Sequence, residues 1–128
     1  MKLTSTIARL LLGLVFTVFG LNGFLHFIPM GPMPTGHAGD YMGVMFVTHY
    51  LSFVSATQLV FGLLLLANFF APLALVILAP VIVNILLFHV LMAPSGLPLA
   101  AVVTVLWILA ALGFRPAFAP LLRSRPAA

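Results

Sequence analysis

The sequence predicts an all-α protein: one integral membrane four-helix bundle that runs up-down-up-down through a single domain. Three observations predict it. Of 128 residues, 64% are hydrophobic and 5% charged, with one acidic side chain, too little charge for the mixed polar surface of a soluble domain this size. The apolar residues gather in four stretches, about 7–28, 41–67, 71–93 and 97–114, each reaching or nearly reaching the roughly 20 residues that cross a hydrocarbon core of about 30 Å. Runs such as LLGLVFTVFGL and LAPVIVNILLF are continuously apolar, whereas barrel strands alternate apolar with polar residues. The expected surroundings are a lipid bilayer.

The first stretch, opening MKLTSTIARLLLGLVFTVFG, has the basic start and apolar core of a secretory signal. Its length and the lack of a convincing small-x-small cleavage site make a retained helix the expectation. PMGPMPTGHAGDY, residues 29–41, carries three prolines and three glycines and is expected to form the one extended loop, with Asp40 as a cap for the second helix. The third and fourth stretches follow tight turns at Asn68 with Pro72 and at Pro94, Gly96 and Pro98. Turns this short make consecutive helices antiparallel neighbours. No internal repeat or low-complexity segment interrupts them.

All five basic residues, Lys2, Arg9, Arg115, Arg123 and Arg125, lie outside the inter-helix loops. Four crossings return the chain to its starting side, so the positive-inside bias places both termini in the cytoplasm. The net charge of +4 is then a topology signal and a contact for anionic lipid, and no nucleic-acid partner is expected. Cysteine is absent, which removes disulfide and thiolate chemistry and leaves any redox role to a bound cofactor.

Candidate functional residues are the polar groups inside the apolar stretches. Counting from the non-cytoplasmic end, His26 and His89 lie within the outermost turn or two, while Asn22, His49 and Asn84 lie roughly 9 to 14 Å down. Loop residue His37 is on the same side. Unpartnered, each would cost several kcal/mol in hydrocarbon, so they should face one another, water or a ligand. Two readings follow. Asn and His can stitch transmembrane helices together, and a histidine near the interface can reach headgroup water. Alternatively, Asn22, His26, His49, Asn84 and His89 form one polar pocket opening to the non-cytoplasmic side.

Thr48, Ser52, Ser55 and Gln58 are spaced by four, three and three, a stripe that continues to Gly62 and suits close helix approach. Gln58, a full amide, needs a partner, expected to be Thr17 or Thr104. Pro80 frees a carbonyl one turn earlier and is expected to bend the third helix just before Asn84, where a cavity commonly forms.

The stretches RLLLGLVFTVFGLNGFLHFIP and QLVFGLLLLANFFAPLALVILAPVIVNILLFH resemble the DoxX family of small bacterial four-helix membrane proteins over about residues 9–94. The most specific pieces are GLNGFLHF, the QL..GLLLL run and the pair Asn84 and His89. The resemblance implies a four-helix fold in the bacterial inner membrane. For some members it implies association with membrane thiosulfate:quinone oxidoreduction or redox-defence complexes, although most of the family has no assigned reaction.

The function expected is a small membrane subunit linked to a quinone-based redox system. A quinone needs an apolar tunnel and a few hydrogen-bonding groups, which Asn22, His26, His49 and His89 among Phe24, Phe27, Phe46 and Phe88 would provide. Haem b held by His26 and His89 and Cu(I) held by the histidines with Met30, Met33, Met42, Met45 and Met92 are the metal alternatives. An accessory role, packing against a larger membrane protein or forming a homo-oligomer, stands beside them.

Overall fold

The computed structural model describes residues 2–126. Their regular structure is helical throughout: α1 (Lys2–Leu25), α2 (Gly36–Val47), α3 (Tyr50–Ala67), α4 (Ala71–Leu91), α5 (Leu97–Leu112) and α6 (Arg115–Phe118), with single 3₁₀ turns at Pro94–Gly96 and Ala119–Leu122. Four segments are long and apolar enough to span a bilayer: α1, α3, α4 and α5 with its preceding turn. The chain is therefore a multi-pass membrane protein. In the last three spans only 17 to 22% of the residues are buried within the chain, so their outer faces must meet lipid rather than water.

The four spans close into a ring. α1 makes its most extensive contact with α3 and its next with α5, while α4 packs between α3 and α5. Leu12 and Phe16 of α1 meet Leu65 of α3, Leu75, Leu78 and Ile82 of α4, and Val103 of α5 in one core. Antiparallel order is fixed at three places. Arg9, near the start of α1, donates from Nη1 to the Leu65 carbonyl near the end of α3. Ser5 Oγ donates to Ala110 O at 3.0 Å, joining the start of α1 to the end of α5. Trp107 Nε1 donates to Leu75 O at 2.8 Å, joining the end of α5 to the start of α4.

Small residues explain why α1 and α3 approach so closely. A Cβ added at Gly20 would lie 2.6 Å from Leu59 N, and one added at Gly62 would lie 2.7 Å from Thr17 N. Membrane helices gain association energy from such backbone approach, because lipid tails offer no hydrophobic gain for merely hiding apolar surface. Ser55 and Gly62, both buried, are the members of the small-polar stripe that serve this contact.

The second expected helix, 41–67, is two helices. The chain breaks at Thr48 and His49, where His49 adopts φ +61 in the left-handed region, which terminates a right-handed helix. α2 begins earlier than expected, at Gly36, and shortens the loop. Asp40 accordingly sits inside α2 and does not cap it; the cap position is Thr35, with no side-chain hydrogen bond. α4 passes through Pro80 without interruption. The turn between α3 and α4 is made by Asn68 and Phe70, both with positive φ, and Phe69 N–H bonds back to Leu64 O at 3.0 Å.

Candidate functional site

A groove of about 510 Å³ opens between α2, α3 and α4, a volume within the ordinary range of small-molecule sites. Helical spacing builds its walls. On α3, Tyr50, Val54, Thr57, Gln58 and Phe61 recur on one face; on α4, Ile77, Pro80, Val81, Asn84, Ile85 and Phe88 do the same, followed by His89; Tyr41, Met42 and Met45 enclose it from α2. Tyr41 joins α2 to α4 across this space, its ring 5.4 Å from that of Phe88. Phe88 in turn meets the His89 ring edge-on at 5.1 Å. Aromatic pairs of this kind contribute about 0.5–1.5 kcal/mol beyond the area they bury, and the Tyr41–Phe88 pair ties the short α2 to α4.

The groove is apolar with a few hydrogen-bonding groups, and their current partners show what remains available. Asn84 Nδ2 donates to Pro80 O at 2.9 Å, leaving a second N–H and the side-chain oxygen. Thr57 Oγ1 is occupied with Phe53 O at 3.0 Å. His89 Nδ1 lies 3.0 Å from Ala93 O; a carbonyl only accepts, so Nδ1 donates and a neutral ring keeps Nε2 as an acceptor. Gln58, Tyr41 and Tyr50 have no side-chain hydrogen bond among the described residues. The groove thus offers amide and phenol donors together with amide and imidazole acceptors.

Of the five residues singled out in the sequence, the structure brings Asn84 and His89 to this groove and leaves Asn22, His26 and His49 outside its lining. Asn22 is 7% exposed, and its Oδ1 accepts the Ile28 N–H at 2.7 Å. That bond stops α1 and starts the loop. His26 N–H bonds to Asn22 O at 2.9 Å, and His26 turns left-handed with φ +51 at the position where helices commonly end this way. GLNGFLHF is therefore a helix-ending device in which the Asn22 side-chain oxygen is engaged by the loop backbone. The His26 side chain is exposed, as is that of His49 at the α2–α3 break. Of the pocket expected from all five, this groove therefore holds two members: α1 ends before His26, and His49 sits at the break between α2 and α3.

Gln58 pairs with neither expected threonine. Thr104 Oγ1 donates to Ala100 O of its own helix at 2.8 Å, and Thr17 Oγ1 is buried against α3 without a partner among the described residues. Gln58 faces the groove instead. Little in the sequence points to Tyr41 and Tyr50, whose roles follow from α2 folding back over α4. Their one visible signal is position, since they flank a helix segment that carries Met42 and Met45 at a spacing of three.

No family model matches the chain, and no curated protein or solved structure is significantly similar to it.

Proposed function

We propose that the chain is a small quinone-associated membrane subunit whose α2/α3/α4 groove holds the ring of a quinone-class lipid. The observation that carries this reading is the unspent hydrogen-bonding capacity of Gln58 and Asn84, on facing helices, in a half-open apolar groove. A quinone carbonyl needs a donor and a quinol hydroxyl needs an acceptor; an amide supplies either. His89, through Nε2, adds an acceptor suited to a quinol proton. The isoprenoid tail would leave through the open side of the groove among exposed apolar residues such as Phe53. Electrons would be exchanged with a larger membrane partner, and the resemblance to the DoxX family over residues 9–94 belongs to the same proposal. So do residence in a bacterial inner membrane and cytoplasmic termini, supported by the gathering of Lys2, Arg9 and Arg115 at the end where α1 begins and α5 finishes.

The test is solvent extraction of the protein purified in mild detergent. Quinone should be recovered at close to one per chain, above its ratio to total extracted phospholipid in the source membrane. The double substitution Gln58→Leu with Asn84→Leu should lower recovery about tenfold with helicity unchanged. Recovery at the bulk membrane ratio, or undiminished recovery from the double variant, would overturn the reading.

A second reading has one specific observation in its favour: Met42, Met45 and His89 line the same groove, and thioethers with an imidazole suit Cu(I). Metal analysis of the same preparation separates the two, since Cu(I) retention would depend on Met42 and Met45, whereas quinone retention would depend on Gln58 and Asn84. Haem b fits less well, because His89 lines the groove and His26 lies outside its lining.

A further inference from the structure

A second cleft, of about 440 Å³, lies at the opposite end of the bundle, between the end of α5 and the chain that follows it. Trp107 and Ala111 form its wall on α5, and Arg115, Phe118 and Leu122 face them from α6 and the succeeding 3₁₀ turn. Phe114 and Phe118 anchor this terminal segment by packing on the bundle core, while Leu121 and Leu122 stay exposed. An apolar cleft edged by a cation is what results. Arg115 is exposed and makes no hydrogen bond among the described residues.

We infer that this cleft is a binding site for one anionic phospholipid, with its phosphate on Arg115 and an acyl chain against Trp107 and Ala111. Charge complementarity selects the occupant. All five basic residues belong to this end of the chain's topology, and the sole acidic residue, Asp40, lies on α2 at the other end. A guanidinium engages phosphate oxygens through parallel N–H donors, and Arg115 stands free to do so. Below it the cleft wall continues into the lipid-facing side of α5, where Val105 and Ile108 are exposed, the direction an acyl chain would take. Arg9 contributes nothing to the site, being 8% exposed and committed to the α3 carbonyls. This inference does not depend on what the α2/α3/α4 groove holds.

Trp107 is the only tryptophan in the chain, so its fluorescence reports this cleft without background. The full chain is reconstituted in phosphatidylcholine vesicles containing a minor fraction of acyl-brominated lipid, either phosphatidylglycerol or phosphatidylcholine. Brominated phosphatidylglycerol should quench with about fivefold higher apparent affinity, corresponding to roughly 1 kcal/mol for one basic residue at the surface. Arg115→Gln should bring the ratio close to one, and Lys2→Gln, which removes a charge at the same end but outside the cleft, should leave it unchanged. Equal quenching by the two lipids in the wild-type protein would overturn the inference, a result that needs no variant to fold. Equal loss of preference in Arg115→Gln and Lys2→Gln would also overturn it, showing general surface attraction in place of a site.

Discussion

The imidazole of His89 occupies the space that a side chain at Gly96 would need: a Cβ built there would fall against ring atoms Cε1 and Nδ1. The turn that joins α4 to α5 thereby sets the position of a groove residue, holding His89 between Gly96 and the Ala93 carbonyl. Gly96→Ala should push the ring away and break the Nδ1 bond, at a cost of about 1–3 kcal/mol for overpacking. Unfolding in detergent should show that loss, and quinone recovery should fall with it. Gly43→Ala, where an added Cβ meets nothing within 4 Å and helix propensity favours alanine, is the matched control and should lower neither.

The α1–α3 seam makes a stronger demand. Because an added Cβ at Gly20 would lie 2.6 Å from Leu59 N and 2.8 Å from Ser55 O, backbone must move to admit it. Gly20→Val should destabilise the bundle by more than about 3 kcal/mol, beyond the usual range of single substitutions. The measurement is the denaturant midpoint in mixed micelles, compared with Gly43→Val.

Much of this architecture was legible in the sequence, and the reasons divide by residue. Continuous apolar runs and helix-breaking pairs such as Asn68 with Pro72 identify four spans and their antiparallel order, since hydropathy and turn chemistry act locally. The break at His49 was not legible. The left-handed residue there accompanies α2 packing back through Tyr41 onto Phe88, a contact between positions 47 residues apart in the chain. For the same reason the site was half visible: Asn84 and His89, five positions apart on one helix, were found together, whereas Gln58 reaches them only through the α3–α4 pairing. Asn22, expected in the pocket, uses its Oδ1 to accept from Ile28 N–H, six residues along, and polarity inside an apolar run does not distinguish a cap from a ligand.

Arg9 was read from the sequence only as a topology charge, and the structure gives it a bonding role. Its guanidinium donates to the carbonyls of Leu65 and, at 3.5 Å, Leu66, near the negative end of the α3 dipole. Arg9→Met retains the apolar stem and removes the donors. Hydrogen bonds to charged groups contribute about 1.5–3 kcal/mol, so a loss of that order is expected in thermal or denaturant unfolding, with Lys2→Met unchanged.

Orientation is open to direct labelling because the chain has no cysteine. Single substitutions Thr35→Cys and Ser95→Cys lie at the groove end of the bundle, and Ser124→Cys lies beyond α6. A membrane-impermeant thiol reagent applied to intact cells should label positions 35 and 95 and spare 124. Labelling confined to position 124 would reverse the orientation and turn the groove toward the cytoplasm.

The most direct measurement for the groove is photocross-linking with an azido-quinone in proteoliposomes, followed by peptide mapping. Label should concentrate on 41–61 and 77–89, compete with unlabelled quinone, and fall sharply in the Gln58→Leu, Asn84→Leu double variant. Label spread along the exposed face of α5, at Val102 and Val105, with no competition by unlabelled quinone, would mean that the quinone is only dissolved in the surrounding lipid, contradicting a quinone site between α2, α3 and α4.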